Sequence, residues 1–278
     1  MFQVKAMSAK DYPFAVRLAN TMNWNMTQQD LEFIASLEPD GCFVLVKGAE
    51  QVGMVTCISY GSAGWFGNLI VKEEERNKGA GTLLVKHAID YFHGKGIETV
   101  GLYAYPQLVD FYASLGFERD EDFAILQTTP TQSTEEDLPK ITEQNFQAVA
   151  EFDKCCFGWD RHKLLEAIVL AKGNLGYFFS EKEEVVGYVA AKVYGNMAEV
   201  GPLTCQPDRV DVAERLLSCV LGKLEGLSVY LCVPKKETAL ISKLVQLGFV
   251  EKFSVTRMFL GYVTAKDCIY LAESLERG

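Results

Sequence analysis

The sequence contains few of the side chains from which metal centres are built. Only three histidines occur, and no two of the eight cysteines stand in a Cys-x-x-Cys pair, the spacing that zinc sites favour. Most of the cysteines lie inside apolar runs such as VTCISY and LLSCVL, where a thiol behaves as a small buried hydrophobe. We therefore expect a protein without a metal site, kept in a reducing environment.

Long hydrophobic runs are missing as well. No stretch approaches the roughly 18 consecutive apolar residues that a transmembrane helix needs. The first residues, MFQVKAMSAKDY, lack the apolar core of a signal peptide. Together with cysteines that lie inside apolar runs, these features predict a cytoplasmic protein with no membrane partner.

Positive charge is scarce and scattered. The 27 lysines and arginines are outnumbered by 37 aspartates and glutamates, which gives a net charge of -10. This balance speaks against a nucleic-acid partner, because binding to phosphate backbones needs clustered lysine and arginine. An acidic surface attracts a cationic substrate such as a small amine, although acidity also serves solubility alone.

The chain is long enough for two domains, and one stretch separates them. Residues 128–140, TTPTQSTEEDLPK, are rich in threonine, proline and acidic residues and carry no apolar periodicity, which is typical of a linker. We therefore predict domains at residues 1–127 and 141–278. Each shows the same order of predicted elements: two helices, three strands, a long helix, a strand, a short helix and a final strand.

Matching residues recur between the two halves at a nearly constant distance. Gly53 and Gly187 lie 134 residues apart, Leu83 and Leu216 lie 133 apart, and Gly116 and Gly248 lie 132 apart. They fall, in the same order, in a strand, in the long helix and at the end of the short helix. Glycine ends helices in many unrelated proteins, but three ordered matches favour a duplication.

One stretch of the first half carries the features of an anion site. In NLIVKEEERNKGAGTLLVK, residues 68–86, a buried strand leads into a glycine-containing turn and then directly into a helix. The free N–H groups and the dipole of a helix's first turn attract anions, and glycine lets a pyrophosphate approach the backbone. Neither standard nucleotide fingerprint fits: Leu84 stands where the Rossmann pattern needs its third glycine, and no Gly-Lys-Ser/Thr follows.

The turn and a later segment resemble one family. The run Arg76–Gly81 (RNKGAG) after the strand LIV resembles the Arg/Gln-x-x-Gly-x-Gly/Ala loop of the GCN5-related N-acetyltransferases (GNAT). The strand VGLYA followed by QLVDFYASLGF is similar to the strand, helix and Phe-Tyr-x-x-Leu-Gly-Phe segment of that family. NWNMTQQD at residues 23–30 resembles the opening of some tandem members, and FGWDR, GPL and TRMFLG resemble their second domain.

The resemblance implies a fold and a reaction. The expected fold is α/β, with two tandem GNAT-like domains that each hold a mixed, mostly antiparallel sheet flanked by helices. The expected enzyme is an acyl-CoA N-acyltransferase that transfers acetyl directly from acetyl-CoA to a primary amine. The residues that would contact the cofactor are Leu69, Ile70, Val71, Arg76, Asn77, Lys78, Gly79, Ala80, Gly81 and Thr82. The amides of residues 78–82 would hold the pyrophosphate, and Leu69 and Val71 would pair with the pantetheine amides.

The resemblance also implies residues for the acyl transfer itself, but it leaves the general base open. Tyr112 stands at the position of the family's general acid, which protonates the departing thiolate; a phenol is protonated at neutral pH and suits this task. Trp24 and Asp30 lie in the segment that usually covers the acceptor. The general base is left open between Asp30, Glu32 and the acidic run at residues 73–75, which also fits a plain helix cap.

The second half lacks the cofactor signature. At an offset of 133 residues, Gly79 falls on Val212 and Gly81 on Glu214, so bulk and negative charge replace both glycines. We expect this half not to bind CoA conventionally, but to complete the acceptor pocket, form a homodimer or bind a regulator. Three alternatives to the acetyltransferase stay open: a non-catalytic acyl-CoA sensor or interaction protein, a long-chain acyltransferase like N-myristoyltransferase, and an inert scaffold.

Overall fold

The computed structural model describes residues 1–131, 136–263 and 268–278. The first half contains β1 (Phe2–Ala6), α1 (Tyr12–Asn20), α2 (Gln28–Leu37), β2 (Cys42–Lys47), β3 (Glu50–Tyr60), β4 (Ala63–Val71), α3 (Ala80–Gly94), β5 (Thr99–Ala104), α4 (Val109–Ala113) and β6 (Glu118–Thr128). The second half contains α5 (Phe146–Phe157), α6 (His162–Val169), β7 (Leu175–Glu181), β8 (Glu184–Tyr194), β9 (Met197–Cys205), α7 (Val210–Leu221), β10 (Ser228–Pro234), α8 (Thr238–Gln246), β11 (Val250–Leu260) and β12 (Ile269–Leu271). The predicted α/β fold and the repeated order of elements are confirmed, and β1 and β12 are strands that the sequence analysis did not anticipate.

The strands form one mixed sheet flanked by helices. Its order within the described residues is β1-β2-β3-β4-β5-β11-β6-β10-β9-β8-β7, with β12 added on β9. Most neighbours are antiparallel, as predicted, while β4–β5 and β9–β10 are parallel pairs. The two parallel pairs occupy the same place in each half, which agrees with a duplication.

β6 of the first half and β11 of the second half each pair with strands of the other half. β11 lies between β5 and β6 and pairs with both, and β6 pairs on its other side with β10. Neither half therefore forms a sheet of its own, because β11 covers the inner edge at β5 and β6 covers the inner edge at β10. The domain boundaries predicted at residues 127 and 141 stay a prediction, because strands of both halves join in one continuous sheet.

The helices cover both faces of the sheet, each with one apolar side. In α3 the buried residues Ala80, Leu84, Val85, Ala88 and Phe92 recur at helical spacing, so a single stripe packs against β3 and β4. α1 and α2 cover the opposite face of the first half. Among the described residues, no helix is both long and apolar enough to cross a membrane.

The segment after β12 is buried between the two halves. The Tyr60 hydroxyl donates to the Arg277 carbonyl oxygen at 2.6 Å, and Arg161 Nη1 donates to a Gly278 oxygen at 3.1 Å. Arg161 is itself held by a bidentate pair with Asp153, in which Nη2 lies 2.7 Å from Oδ1. These contacts fasten residues 277 and 278 against the end of β3 on one side and, through Arg161, against α5 on the other.

Candidate functional site

The first half contains an open slot between β4 and β5. The two strands are paired only at their beginnings, where Ala63–Trp65 lie opposite Thr99–Gly101. Beyond this point β4 continues along β3 through a bulge at Asn68, which has a left-handed φ of 51°. The Asn68 amide donates to Thr56 Oγ1 at 3.1 Å and fixes the bulge. β5 instead continues along β11, so the two strands diverge and leave a gap.

The backbone of β4 points alternately toward β3 and into this slot. The Lys72 N–H donates to the Val52 carbonyl on β3 at 2.8 Å, so Lys72 and Ile70 direct their backbone groups toward β3. Leu69 and Val71 therefore direct theirs into the slot. The Val71 carbonyl accepts a bond from Arg76 Nε at 3.0 Å. Of the three predicted strand contacts, Leu69 and Val71 face the slot, whereas the backbone of Ile70 faces β3.

The N-terminus of α3 opens at the mouth of the slot. Gly79 caps the helix with a φ of 84°, a conformation that disfavours other residues, and a Cβ placed there would meet nothing within 4 Å. The first turn contains no acidic residue. In the described part of the chain, no group accepts a hydrogen bond from the backbone N–H of Ala80, Gly81 or Thr82. The helix dipole and these donors are thus available to an anion.

Basic side chains flank the same turn. Arg76, besides its bond to Val71, points its Nη2 at Met22 Sδ, 3.8 Å away in the loop before α2. Lys78 lies 3.5 Å from the Glu75 carboxylate, which also binds Lys47 at 2.7 Å. Arg76, Asn77 and Lys78 are all exposed. The predicted loop residues are therefore brought together around one helix N-terminus.

Tyr112 lies in α4 next to the divergent strands. Its ring packs against Phe66 of β4 and against Phe117, at 6.1 and 6.0 Å between ring centroids. Burial raises the pKa of the Tyr112 phenol above its usual value of 10. No residue in the described ranges hydrogen-bonds its hydroxyl. The hydroxyl thus stays protonated at neutral pH and keeps its hydrogen free for another acceptor.

Three aromatic residues border the site on the side of α2. Burial raises the pKa of Tyr105, and a hydrogen bond from the Trp24 side chain opposes this rise. Tyr105 also contacts Phe253 of β11 at 5.7 Å between ring centroids. Trp24 is half-buried and Phe253 is exposed. Phe253 was not anticipated, because only the strand exchange brings β11 beside the first half.

The candidate carboxylates have structural partners. Asp30 closes the capping box of α2: its Oδ2 accepts bonds from the Thr27 N–H at 2.7 Å and the Thr27 hydroxyl at 2.8 Å. Glu32 accepts a bond from Gln28 on the helix surface at 2.7 Å. The acidic run at residues 73–75 forms a 3₁₀ turn, in which Glu75 is ion-paired. Capping and ion pairing account for these positions without an acceptor.

The second half contains the same slot, but the chain itself fills it. Gly187 pairs with Cys205 as Gly53 pairs with Val71, so the two slots share a register 134 residues apart. β12 lies in the gap between β9 and β10, where Ile269–Leu271 pair with Leu203–Cys205. The Ala272 N–H closes the other side on the Cys232 carbonyl at 3.0 Å. No sequence pattern predicts this strand, which is only three residues long.

The helix N-terminus of the second half is also occupied. Bonds to Arg209 and to the backbone N–H groups of Asp211 and Val212 lower the pKa of the Asp211 carboxyl to about 2. That carboxylate lies 2.8 Å from Arg209 Nε and stands in the first turn of α7. Val212 is fully buried, and Glu214 lies one turn from the start. Charge, bulk and β12 together disfavour an anionic ligand here.

Comparison with known proteins decides the family. Residues 8–117 match the model of the acetyltransferase (GNAT) family, and residues 149–270 match that of an acetyltransferase (GNAT) domain. The chain belongs to the GNAT acetyltransferases. It is a tandem member and an acyl-CoA N-acyltransferase, as the sequence predicted.

Individual relatives of this GNAT enzyme are distant. The holothin acyltransferase of Pseudoalteromonas sp. (strain SANK 73390) is 24% identical over 261 residues, which cover 92% of this chain and 87% of the relative. A Pyrococcus horikoshii protein of known structure has a TM-score of 0.81 at 22% identity and covers 100% of this chain and 96% of its own. A tandem GNAT protein from the clavulanic acid biosynthesis pathway has a TM-score of 0.63 at 13% identity, covering 95% of this chain and 100% of its own. These structures share the fold.

Proposed function

We propose that this GNAT enzyme transfers acetyl from acetyl-CoA directly to a primary amine, and that the first half alone binds the cofactor. The observation that carries the proposal is the contrast between two slots of the same register. One slot is open beside a helix N-terminus whose first N–H groups have no acceptor among the described residues, and the other is closed by a strand of the chain itself.

The filled slot indicates what the open one accepts. In the second half, the backbone of Leu203–Cys205 pairs with an extended peptide. The pantetheine arm of CoA is likewise an extended chain with two amides, so it would pair with Leu69 and Val71 in the same manner. To do so at Val71 it would displace the Arg76 side chain from the carbonyl, which frees Arg76 for the phosphates. The N–H groups of residues 78–82 and the Thr82 hydroxyl would hold the pyrophosphate.

The chemistry at the slot needs one bond exchange. The amine nitrogen bonds to the acetyl carbonyl carbon while the carbon–sulfur bond breaks, and the sulfur leaves as a thiolate. Tyr112 gives its hydroxyl proton to that sulfur, and solvent returns a proton to the phenolate. Overall an ammonium group loses two protons, of which one ends on the sulfur and one in water. The free, protonated hydroxyl of Tyr112 supports this role.

The space around the bulge supports a short acyl chain. On the face toward α4, Phe66 and Phe117 are 2% exposed and pack at 5.8 Å between ring centroids. On the other face, the backbone of Glu276 lies directly on Gly67, where a Cβ would come within 2.4 Å of the Glu276 Cα. Both sides of the β4 bulge are therefore filled, which favours acetyl over a long chain.

The acceptor is proposed to be a small cationic amine. The relative named holothin acyltransferase acts, by its name, on a small molecule. The net charge of -10 favours a cation. Trp24 and Tyr105 would form one wall of its pocket.

The test combines binding with turnover. Acetyl-CoA should raise the unfolding midpoint of the parent protein as its concentration passes the dissociation constant. Release of free thiol from acetyl-CoA should then depend on an added amine. Tyr112→Phe should unfold at the parent's midpoint, because the hydroxyl has no protein partner in the described ranges, but should lose about 10²–10³-fold in kcat.

Other outcomes separate the alternatives. Stabilisation by acetyl-CoA without amine-dependent thiol release would indicate the acyl-CoA sensor. Preference for a long-chain acyl-CoA would indicate the myristoyltransferase-like enzyme. No stabilisation at saturating cofactor would refute the cofactor site.

A further inference from the structure

The segment after β12 builds a charged cluster at the bulge of β4. Glu276 lies on Gly67, one residue before Asn68, where the cofactor slot begins. The next residue, Arg277, places its guanidinium 5.3 Å from the Phe33 ring of α2. The cluster thus contacts α2, which borders the acceptor side of the site, and β4, which borders the donor side of the site.

The second half supplies the other members of the cluster. Arg277 Nε binds Glu273 Oε2 at 2.9 Å, and Arg277 Nη1 binds Glu276 Oε1 at 2.6 Å. Lys192 of β8 pairs with Glu273 and binds Glu199 of β9 at 2.9 Å. Two cations therefore face three carboxylates, which leaves one negative charge without a counter-ion.

The surplus charge is on the open side of the cluster. Lys192, Glu273 and Arg277 are buried, with side chains at most 5% exposed, whereas Glu276 is 27% and Glu199 is 41% exposed. An incoming molecule can therefore reach the two outer carboxylates but not the inner ion pairs.

Glu276 is the outer carboxylate that lies beside the cofactor slot, because its backbone packs on Gly67. Burial raises its pKa, and the charges of Glu199 and Glu273 raise it further, while Arg277 and Lys192 lower it without cancelling the rise. The Tyr194 phenol also reaches Glu199, at 3.4 Å. A third cation would balance the surplus negative charge.

We propose that this cluster binds the ammonium group of the acceptor, and that the Glu276 carboxylate holds that group and accepts its proton. The inference rests on the acyl transfer proposed above. The backbone around Glu276 is fixed by the Tyr60 hydroxyl on the Arg277 carbonyl and by the Arg277 N–H on Ser274 Oγ at 3.2 Å. The carboxylate is therefore held in place before the acceptor arrives.

The proton balance is complete. The ammonium gives one proton to the Glu276 carboxylate and becomes a neutral amine, which can attack the acetyl carbon. The resulting carboxylic acid returns the proton to solvent after transfer, and the nitrogen's second proton also passes to solvent, which returns one proton to the Tyr112 phenolate. The same carboxylate explains a preference for substrates that carry positive charge.

The test measures binding of 1,4-diaminobutane by calorimetry in the presence of CoA, which cannot react. The parent protein should bind the diamine, and neutral butane-1,4-diol should not bind. Glu276→Gln should weaken diamine binding at least about tenfold, while Glu276→Asp restores part of it. Glu225→Gln, which removes an exposed carboxylate far along the chain after α7, is the matched control and should bind as the parent does.

Kinetics supply a readout that a purely structural role would not change. With the diamine as acceptor, kcat/KM of the parent should fall at low pH as Glu276 becomes protonated, and Glu276→Gln should lose that limb of the profile. Acetyl-CoA should stabilise Glu276→Gln and the parent equally.

Two results would overturn the proposal: diamine affinity equal in Glu276→Gln and Glu225→Gln, or no diamine binding to a parent that binds CoA. Failure of the cofactor site is separate, because it would appear as no stabilisation by acetyl-CoA in either protein, while Glu276-dependent diamine binding remained measurable.

Discussion

The substitution Gly81→Glu places the residue of the second half into the cofactor loop of the first. Gly81 lies in the first turn of α3 with an ordinary helical φ, and a Cβ there would meet only Phe111 Cζ at 3.5 Å, a normal contact. Replacing a helical glycine gains about 0.5–1 kcal/mol, and a carboxylate near a helix N-terminus adds about 0.3–1 kcal/mol. The free variant should therefore unfold a few degrees above the parent.

Cofactor binding should move in the opposite direction. A carboxylate about 6 Å from one phosphate charge, at an effective dielectric constant of about 20, costs about 3 kcal/mol, which is about 100-fold in affinity. At a concentration 100 times the parent's dissociation constant, acetyl-CoA stabilises the parent by about 2.7 kcal/mol. The same concentration should stabilise the variant by only about 0.4 kcal/mol.

The assay is thermal or urea unfolding with and without acetyl-CoA, and two further variants control it. Gly81→Ala should gain similar stability and keep the full cofactor effect, because the family loop accepts alanine at this position and no charge is added. Gly94→Glu adds the same charge at the far end of α3, where a Cβ would have no neighbour within 4 Å. It should lose a little stability through the helix dipole and keep the cofactor effect. A Gly81→Glu protein that acetyl-CoA stabilises as fully as the parent would refute the pyrophosphate assignment.

Two further predictions concern carboxylates with structural partners. Asp30→Ala should lower the free energy of unfolding by about 1 kcal/mol, because it removes the capping box of α2, and should leave kcat unchanged; a large fall in kcat at unchanged stability would instead assign Asp30 to the acceptor. Burial raises the pKa of Glu273, but Arg277 and Lys192 outweigh it and lower the pKa to about 2 from the usual 4.5. A depressed folded pKa means that the stabilisation, about 3 kcal/mol, is fully present above about pH 5 and is lost as pH falls toward 2; urea unfolding across this range should show a steeper loss in the parent than in Glu273→Gln, and parallel curves would contradict the assignment.

Local patterns in the sequence predicted the helices and most of the strands, together with the turn that is proposed to bind the cofactor. The turn at residues 76–81 and the helix after it are determined by residues that are close together in the chain. The turn needs a positive φ at position 79, for example, and the sequence has a glycine there. The capping signal at Thr27 is also local, because its partner Asp30 lies only three residues further on. The sequence analysis places Asp30 at the acceptor, whereas in the structure it caps α2. Local chemistry explains why these positions were predictable.

The acceptor half was beyond the sequence because its parts are far apart in the chain. Phe253 and Tyr105 meet only through the exchange of β11, and Glu276 reaches Gly67 only because the last segment crosses between the halves. β12 is too short to show a periodicity, and its place in the second slot depends on edges that β9 and β10 leave open.

The sequence by itself determined the α/β class, the duplication, the acyl-CoA family and the loop that is proposed to bind the cofactor, because each depends on residues within one element or at one turn. Only the tertiary structure decided that the two halves share one sheet, that the second slot is filled, and that Glu276 lies beside the first. Those features depend on strand pairing and on contacts between distant segments, and no local pattern encodes either.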